Sequence, residues 1–411
     1  MELFFRDISR NIMITWDQLL NDLGEGNAYN PYCMSTNYYH VFRHIITSML
    51  SGDEIILLDG DFTDDELVKL TGFHEFGKFV KPVDKTKFPI PGEKQKLIEQ
   101  LRNTNNSWKI TLFTSGTTGL PKKVTHNFNS ITRFVKFFEN SPSSVWGFAY
   151  NPTHMAGIQV FLQALLNGNS IVKLFGLSSN DIHHELMECR VTHISATPSF
   201  YRLLLPCEIS FPYVERITSG GEIFDKGFVT QMGNIFPKAK INNIYASTEA
   251  GTLFTSYNDI FTIKPEYENF IKVDHDELLI HKSFIGQSDI LLNEWYNTGD
   301  IIEILANDPI RFRFLTRKSD MINVGGYKVN PIEVEEAILL IPGIKDVRVF
   351  PRSNSVLGKL ICCEIVCNDE LMDEAKIRRF LQSKLQEFKI PRMIHFVHEL
   401  TRTRTGKIKR T

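Results

Sequence analysis

From Asp53 to Leu400 the chain alternates short apolar runs with segments of helical spacing, and this alternation is the strongest constraint on its fold. Apolar side chains recurring roughly every three to four residues mark one face of a helix, whereas brief apolar runs bounded by Gly, Pro or Asn mark buried strands. Strands are predicted at 54–58, 109–113, 144–150, 170–175 and 192–196, and helices at 64–70, 131–138, 181–188 and 199–205. Strands joined through helices pair in parallel, because the crossover returns the chain to the edge from which it left. The expected class is α/β: a large N-terminal domain of parallel-rich sheets flanked by helices.

The pattern changes near residue 317. A polar run at 316–323 is followed by Gly325 and Gly326, then by a predicted helix (331–340), strands (346–350 and 360–366), a second helix (374–385) and a last strand (393–397). This smaller α+β unit is long enough to hold its own core. A boundary at 317–320 divides the chain into domains 1–317 and 318–411.

Composition removes several classes of function. The 46 Lys and Arg nearly balance 48 Asp and Glu, a formal charge of −2, so no basic surface points to nucleic acid. The longest apolar run, 158–166, is interrupted by Asn167, Gly168 and Asn169 and is too short for a bilayer. The start, Met-Glu-Leu-Phe-Phe-Arg-Asp, is acidic where a signal peptide is basic, so a cytoplasmic protein is expected. None of the six cysteines forms Cys-x-x-Cys, which disfavours zinc and thiol exchange, and Cys362, Cys363 and Cys367 read as buried thiols in an apolar strand.

The sharpest local motif directly follows the strand at 109–113. It reads Thr114-Ser115-Gly116-Thr117-Thr118-Gly119-Leu120-Pro121-Lys122-Lys123. Glycines let consecutive N–H groups face one concavity that suits an anion, the hydroxyls add donors, and Lys122 adds charge. The spacing matches neither Gly-x-x-x-x-Gly-Lys-Ser/Thr nor Gly-x-Gly-x-x-Gly, which disfavours a P-loop kinase or GTPase and a dinucleotide site. A Ser/Thr-rich surface turn is the plainer alternative.

This loop resembles the phosphate-binding signature of the adenylate-forming superfamily, which includes acyl- and aryl-CoA synthetases, peptide-synthetase adenylation domains and beetle luciferases. Lys123 stands in place of a usual glycine. Further elements resembling that family follow in order. Ser219-Gly220-Gly221-Glu222 resembles the segment whose backbone lines adenine. Asn243-Ile244-Tyr245-Ala246-Ser247-Thr248-Glu249 resembles the motif in which, by resemblance, Tyr245 stacks on adenine, Thr248 bonds the α-phosphate and Glu249 holds Mg²⁺. Ala246 replaces a usual glycine, so a local backbone adjustment is expected. Tyr296-Asn297-Thr298-Gly299-Asp300 places Asp300 on the ribose hydroxyls, and Arg317-Lys318-Ser319-Asp320 resembles the interdomain hinge, with Arg317 at the ribose. Gly326 corresponds to the loop beside the phosphopantetheine tunnel, and Lys407, within 404–410, to the catalytic lysine of a mobile small domain. Singly, Tyr245 could be core, Glu249 a cap, Asp300 a turn residue and Lys407 a solvated charge. Their joint order argues for the site.

The resemblance implies an enzyme that activates a carboxylic acid with ATP and Mg²⁺, releases pyrophosphate and transfers the acyl group to the thiol of CoA. A separate acyl carrier protein is the alternative acceptor; no Gly-x-Asp-Ser-Leu carrier signature occurs and the chain stops just past Lys407, so any carrier is expected to act in trans. A non-catalytic nucleotide-binding regulator is the reading from a different class, and the retained Thr248, Glu249, Asp300, Arg317 and Lys407 argue against it. Asn151-Pro152-Thr153-His154-Met155-Ala156-Gly157 resembles the Phe-His-x-x-Gly segment of acyl- and aryl-CoA synthetases, with His154 a wall of the acyl pocket; a structural histidine is the plainer alternative. Amino-acid-activating relatives carry an aspartate there, so an aryl or medium-length acyl acid is expected. The family usually has more chain before its phosphate loop than the 113 residues here, so a trimmed N-terminal part is expected, with homodimerisation as one way to cover the exposed face.

Overall fold

The computed structural model describes residues 2–25, 28–60, 62–72, 83–84, 89–114, 122–138, 144–222, 226–288, 293–324, 327–354, 358–369 and 371–402. Its largest sheet has eight strands, in the order Gly251–Ser256, Lys240–Ser247, Arg216–Gly220, His193–Ala196, Val145–Phe148, Ser170–Lys173, Leu3–Asp7 and Ile12–Thr15. The six central strands are parallel, and an antiparallel strand flanks each edge. A second sheet runs Tyr32–Ser35, Ile55–Asp59, Lys109–Thr114 and Lys122–Asn127; its last pair is an antiparallel hairpin.

One shared core joins these sheets. The helix Met155–Leu165 is apolar nearly all round, which suits a helix with no solvent face. Its Phe161 stacks on Phe42 of the helix Tyr38–Ser51 with ring centroids 4.2 Å apart. Phe5, Ile55, Ile110 and Trp108 complete the same cluster. On the other side of the large sheet, Val172, Leu186, Ile194, Tyr201, Phe211 and Phe228 form a second cluster.

Between residues 261 and 317 the architecture departs from the predicted alternation. Five strands, in the order Phe261–Thr262, Ile310–Arg317, Trp295–Asn307, Glu277–His281 and Ile271–Asp274, pair entirely antiparallel. Phe254, Phe261, Ile302 and Phe312 pack its inner face. Beyond it, the strands Ile344–Asn354, Gly358–Cys367 and Met393–Phe396 and the helices Pro331–Leu339 and Glu374–Gln382 enclose a separate core of Val334, Ile338, Val349, Ile365, Ile377 and Leu381. Cys362 and Cys363 are buried in that module, and burial pushes the Cys363 thiol up to about 12. No helix among the described residues is long and apolar enough to cross a membrane.

The helix predicted at 131–138 forms earlier and ends sooner, at Phe128–Thr132. Asn127 and Ser130 make a reciprocal cap that sets its start. Past Thr132, the Lys136 N–H donates to Gln163 Oε1 at 2.9 Å and the Phe138 N–H to Asn167 Oδ1 at 2.9 Å. Gln163 and Asn167 return bonds to the Lys136 carbonyl at 2.9 Å each. Side chains of the central helix region thus satisfy a backbone that would otherwise need a helix of its own.

His193 lies half-buried against Trp146, with centroids 4.9 Å apart, and burial followed by the nearby Arg216 lowers its pKa from 6.5 to about 4. The unfolded chain therefore takes up this proton first: the contribution of neutral His193 is complete above pH 6.5 and is lost as pH falls towards about 4. His193→Phe is expected to flatten the fall in melting temperature across that window, measured by thermal unfolding at stepped pH. Equal slopes in both proteins would contradict this.

Candidate active site

The parallel strands of the large sheet deliver the motifs to one edge. Asn151 to His154 follow Val145–Phe148, Thr197 follows His193–Ala196, Gly220 to Glu222 close Arg216–Gly220, and Tyr245 to Glu249 close Lys240–Ser247. Ligands of open parallel sheets bind beyond these carboxyl ends, where loops diverge.

Asp300 organises the centre. Its carboxylate is 5% exposed; Oδ2 accepts from the Tyr245 hydroxyl at 2.5 Å and Oδ1 from Arg317 Nε at 2.8 Å. The Asp300 N–H donates to Thr298 Oγ1 at 3.0 Å, and Thr298 in turn donates to the Leu278 carbonyl at 2.7 Å. Gly299, at φ +74°, makes the turn that a β-carbon would strain, and its N–H donates to Glu277 Oε1 at 3.0 Å. The other Glu277 oxygen pairs with Lys318 at 3.3 Å. The Tyr245 ring stacks on Phe314 with centroids 4.2 Å apart, and burial, then Asp300, holds its hydroxyl protonated well above the ordinary tyrosine range. Three separated motifs, at Tyr245, Asp300 and Arg317, thus meet through one carboxylate. Each of its oxygens keeps a lone pair for a further donor such as a ribose hydroxyl.

Thr248 and Glu249 are tied to the hairpin that bears the glycine-rich loop. Thr114 and Lys122 pair across that hairpin, which brings the two ends of the loop together. Four residues after Lys122, buried His126 donates from Nε2 to the Thr248 carbonyl at 2.8 Å. Burial lowers the His126 pKa, so it is a neutral donor at pH 7. The Gly286 N–H holds the Glu249 carbonyl at 2.7 Å, and the Tyr296 hydroxyl donates to Glu249 Oε1 at 3.2 Å. A β-carbon on Gly286 would lie 2.8 Å from His126 Nε2, which accounts for glycine there. Neither His126 nor Phe314 was predicted from the sequence: their roles come from partners over a hundred and about seventy residues away.

The remaining predicted residues divide by what they touch. Gly221 sits at φ +81° and turns the chain after Gly220. The Glu222 carboxylate accepts from the Ser199 N–H at 2.8 Å and Ser199 Oγ at 2.9 Å, clamping the first turn of the helix Pro198–Arg202. Asn243 donates to the Asn258 carbonyl at 3.0 Å, and Ser247 Oγ accepts from the Ala250 N–H at 3.1 Å. The adjustment expected at Ala246 is a register shift between Tyr245 and Ala246 in the pairing with Gly251–Ser256. Ser115, Gly116, Thr117, Thr118, Gly119, Gly326 and Lys407 lie outside the described residues.

His154 is bound to Asp59, a partner absent from the sequence reading. Its Nε2 lies 2.9 and 2.8 Å from the two carboxylate oxygens. Asp59 also accepts from Thr153 Oγ1 and from Asn151 Nδ2, the latter at 3.2 Å. With Nε2 donating to Asp59, the His154 ring is held in one orientation.

These features coincide with the family to which the chain belongs: the model for AMP-binding enzymes matches residues 81–270 and that for their C-terminal domain residues 333–407, together more than half of the chain. The 2-succinylbenzoate–CoA ligase of Staphylococcus epidermidis is 25% identical over 324 residues, covering 73% of this chain and 68% of the relative. The long-chain-fatty-acid–CoA ligase FadD13 of Mycobacterium tuberculosis is 24% identical over 344 residues, covering 73% and 66%. Among solved structures, the o-succinylbenzoate CoA synthetase MenE of Bacillus subtilis, in complex with ATP and magnesium, superposes with a TM-score of 0.69 at 17% identity, covering 99% of this chain and 95% of that one. The anthranilate CoA ligase AuaEII, in complex with anthranoyl-AMP, gives 0.72 at 16% identity, covering 99% and 92%.

The His154-x-x-Gly157 spacing has a steric cause. A β-carbon on Gly157 would lie 2.1 Å from the Asn151 carbonyl oxygen. Gly157→Ala must push the 151–154 loop away from Asp59. It is expected to destabilise the protein by about 1–3 kcal/mol, read as a lower denaturant midpoint. An unchanged midpoint would contradict this close approach.

Proposed function

We propose that this protein joins a carboxylic acid to ATP, forming an acyl-adenylate with release of pyrophosphate, and then transfers the acyl group to the thiol of CoA. The observation that carries this reading is the meeting of Tyr245, Asp300 and Arg317 through one buried carboxylate, beside Thr248, Glu249 and the paired ends of the glycine-rich loop. In the first step a carboxylate oxygen bonds to the α-phosphorus while the bond to the β-phosphate oxygen breaks, and pyrophosphate carries the electron pair away. In the second, a thiolate attacks the acyl carbonyl and AMP departs.

Both reactants of the first step are anions, so the site must supply positive charge and donors. The N–H groups of 115–119 and the amine of Lys407 are the proposed donors, with the Thr248 hydroxyl on the α-phosphate. Among the described residues no three His, Cys, Asp or Glu side chains gather to hold a metal alone. Glu249 offers a single carboxylate, which suits Mg²⁺ because that ion keeps water and substrate phosphates as its other ligands. Bound there, Mg²⁺ would neutralise phosphate charge. Asp300 and Arg317 position the ribose.

The acid we propose is aryl or medium-length acyl. His154, fixed by Asp59, and the buried hydroxyls of Thr197, Thr218 and Ser219 support a pocket of mixed apolar and small polar character. No paired cation such as a dicarboxylate needs is evident among these residues. Domains 1–317 and 318–411 are proposed to turn about 317–320 between the two steps, a hinge motion of rigid units.

The test is carboxylate-dependent exchange of pyrophosphate into ATP across aromatic and medium-chain acids, followed by addition of CoA. Exchange with at least one acid and formation of its CoA thioester are expected; exchange with none would overturn the proposal. Lys407→Ala is expected to lower exchange by about a hundredfold or more while sparing thioester formation from supplied acyl-adenylate. Undiminished exchange would remove Lys407 from the first step.

A further inference from the structure

The structure assigns to Asp346 the role of a latch between the two units, a positioning residue that holds the C-terminal tail in place for adenylate formation; this rests on the function proposed above. Asp346 belongs to the strand Ile344–Asn354 of the small module and is 6% exposed. Its partners come from two other places. Arg402, in the tail, reaches Oδ2 with Nη2 at 3.3 Å. Arg202, at the end of the helix Pro198–Arg202 in the large unit, brings Nη1 to 4.0 Å from Oδ1. The Val347 N–H donates to Oδ1 at 3.0 Å.

The geometry links this acid to the site on both sides. The helix that ends in Arg202 carries Ser199 in its first turn, which Glu222 clamps through two hydrogen bonds. The latch is therefore braced against the Gly220 to Glu222 segment. On the other side, Arg402 stands five residues before Lys407 in the sequence, a separation that five trans peptide units cannot stretch beyond about 17 Å. Burial, opposed by Arg202 and Arg402, raises the Asp346 pKa, so the site disfavours an ion that lacks these partners. Rotation of the small unit would part Asp346 from Arg202. The interaction thus stabilises one pose and not the other, and a contact confined to one state shifts the balance between them.

The prediction is a split between half-reactions. Arg202→Ala and Asp346→Asn are each expected to lower pyrophosphate exchange about tenfold, the size of a partly buried ion pair. Neither should slow thioester formation from supplied acyl-adenylate. Arg202→Ala added to Asp346→Asn should cost less than the sum of the two single effects, because the two share one contact. Equal loss in both half-reactions, or additive effects of the two substitutions, would overturn the latch and leave a merely structural ion pair. Arg402→Ala, in the tail, provides the same test should Asp346→Asn fail to fold. A second measurement needs no activity: the distance distribution between spin labels carried by non-natural amino acids at Met187 and Leu371, which are 52% and 77% exposed. Arg202→Ala and Arg402→Ala should each broaden it, and an unchanged distribution would overturn the latch. Broadening in these variants, when the unsubstituted protein exchanges pyrophosphate with no acid, would overturn the proposed function and keep the contact between the two units.

Discussion

A single buried carboxylate, that of Asp300, governs the arrangement of this molecule. A carboxylate so shielded from water is tolerated only when both oxygens are met by donors. Tyr245, at the end of a strand of the large sheet, supplies one; Arg317, at the end of the antiparallel sheet, supplies the other. The requirement therefore fixes two sheets against each other at the place where the chain passes into its small module. The Thr298 and Gly299 turn, held by Leu278 and Glu277, keeps Asp300 at that junction. The stacking of Tyr245 on Phe314 adds a rigid aromatic wall.

Around this centre other buried or half-buried acids likewise pair with groups from another segment. Asp59 gathers Asn151, Thr153 and His154 at the edge proposed for the acyl group. Glu222 clamps the helix Pro198–Arg202, and Asp346 meets Arg202 and Arg402 across the two units. Buried ion pairs add little net stability but penalise any arrangement that separates them. A molecule that needs defined relative positions of several loops is well served by such penalties.

Much of this was legible in the sequence, because the motifs are local. Tyr245, Thr248, Glu249, Asp300 and Arg317 lie in short segments of recognisable spacing, and the parallel strands that carry them read as apolar runs. The antiparallel sheet was not legible. Trp295–Asn307 mixes half-buried and exposed positions without a clean alternation, because it bends at two register shifts. The helix Phe128–Thr132 was misplaced because its end depends on Gln163 and Asn167, more than twenty residues away. For the same reason His126, Asp59 and Asp346 carried no sequence signal: a lone histidine or aspartate acquires a role only from a distant partner. The clamp of Glu222 on Ser199 carried no signal either, because its partner lies in another segment.

The most direct measurement of the central role of Asp300 is AMP binding by calorimetry, comparing the unsubstituted protein with Asp300→Asn. The amide keeps the shape of the side chain but cannot accept from Tyr245, Arg317 and a ribose as an ionised carboxylate does. AMP is expected to bind the unsubstituted protein and to bind the variant more weakly by about tenfold or more, with the cooperative thermal transition retained. Equal affinity in both proteins, or no binding by the unsubstituted protein, would contradict the placement of Asp300 at the nucleotide.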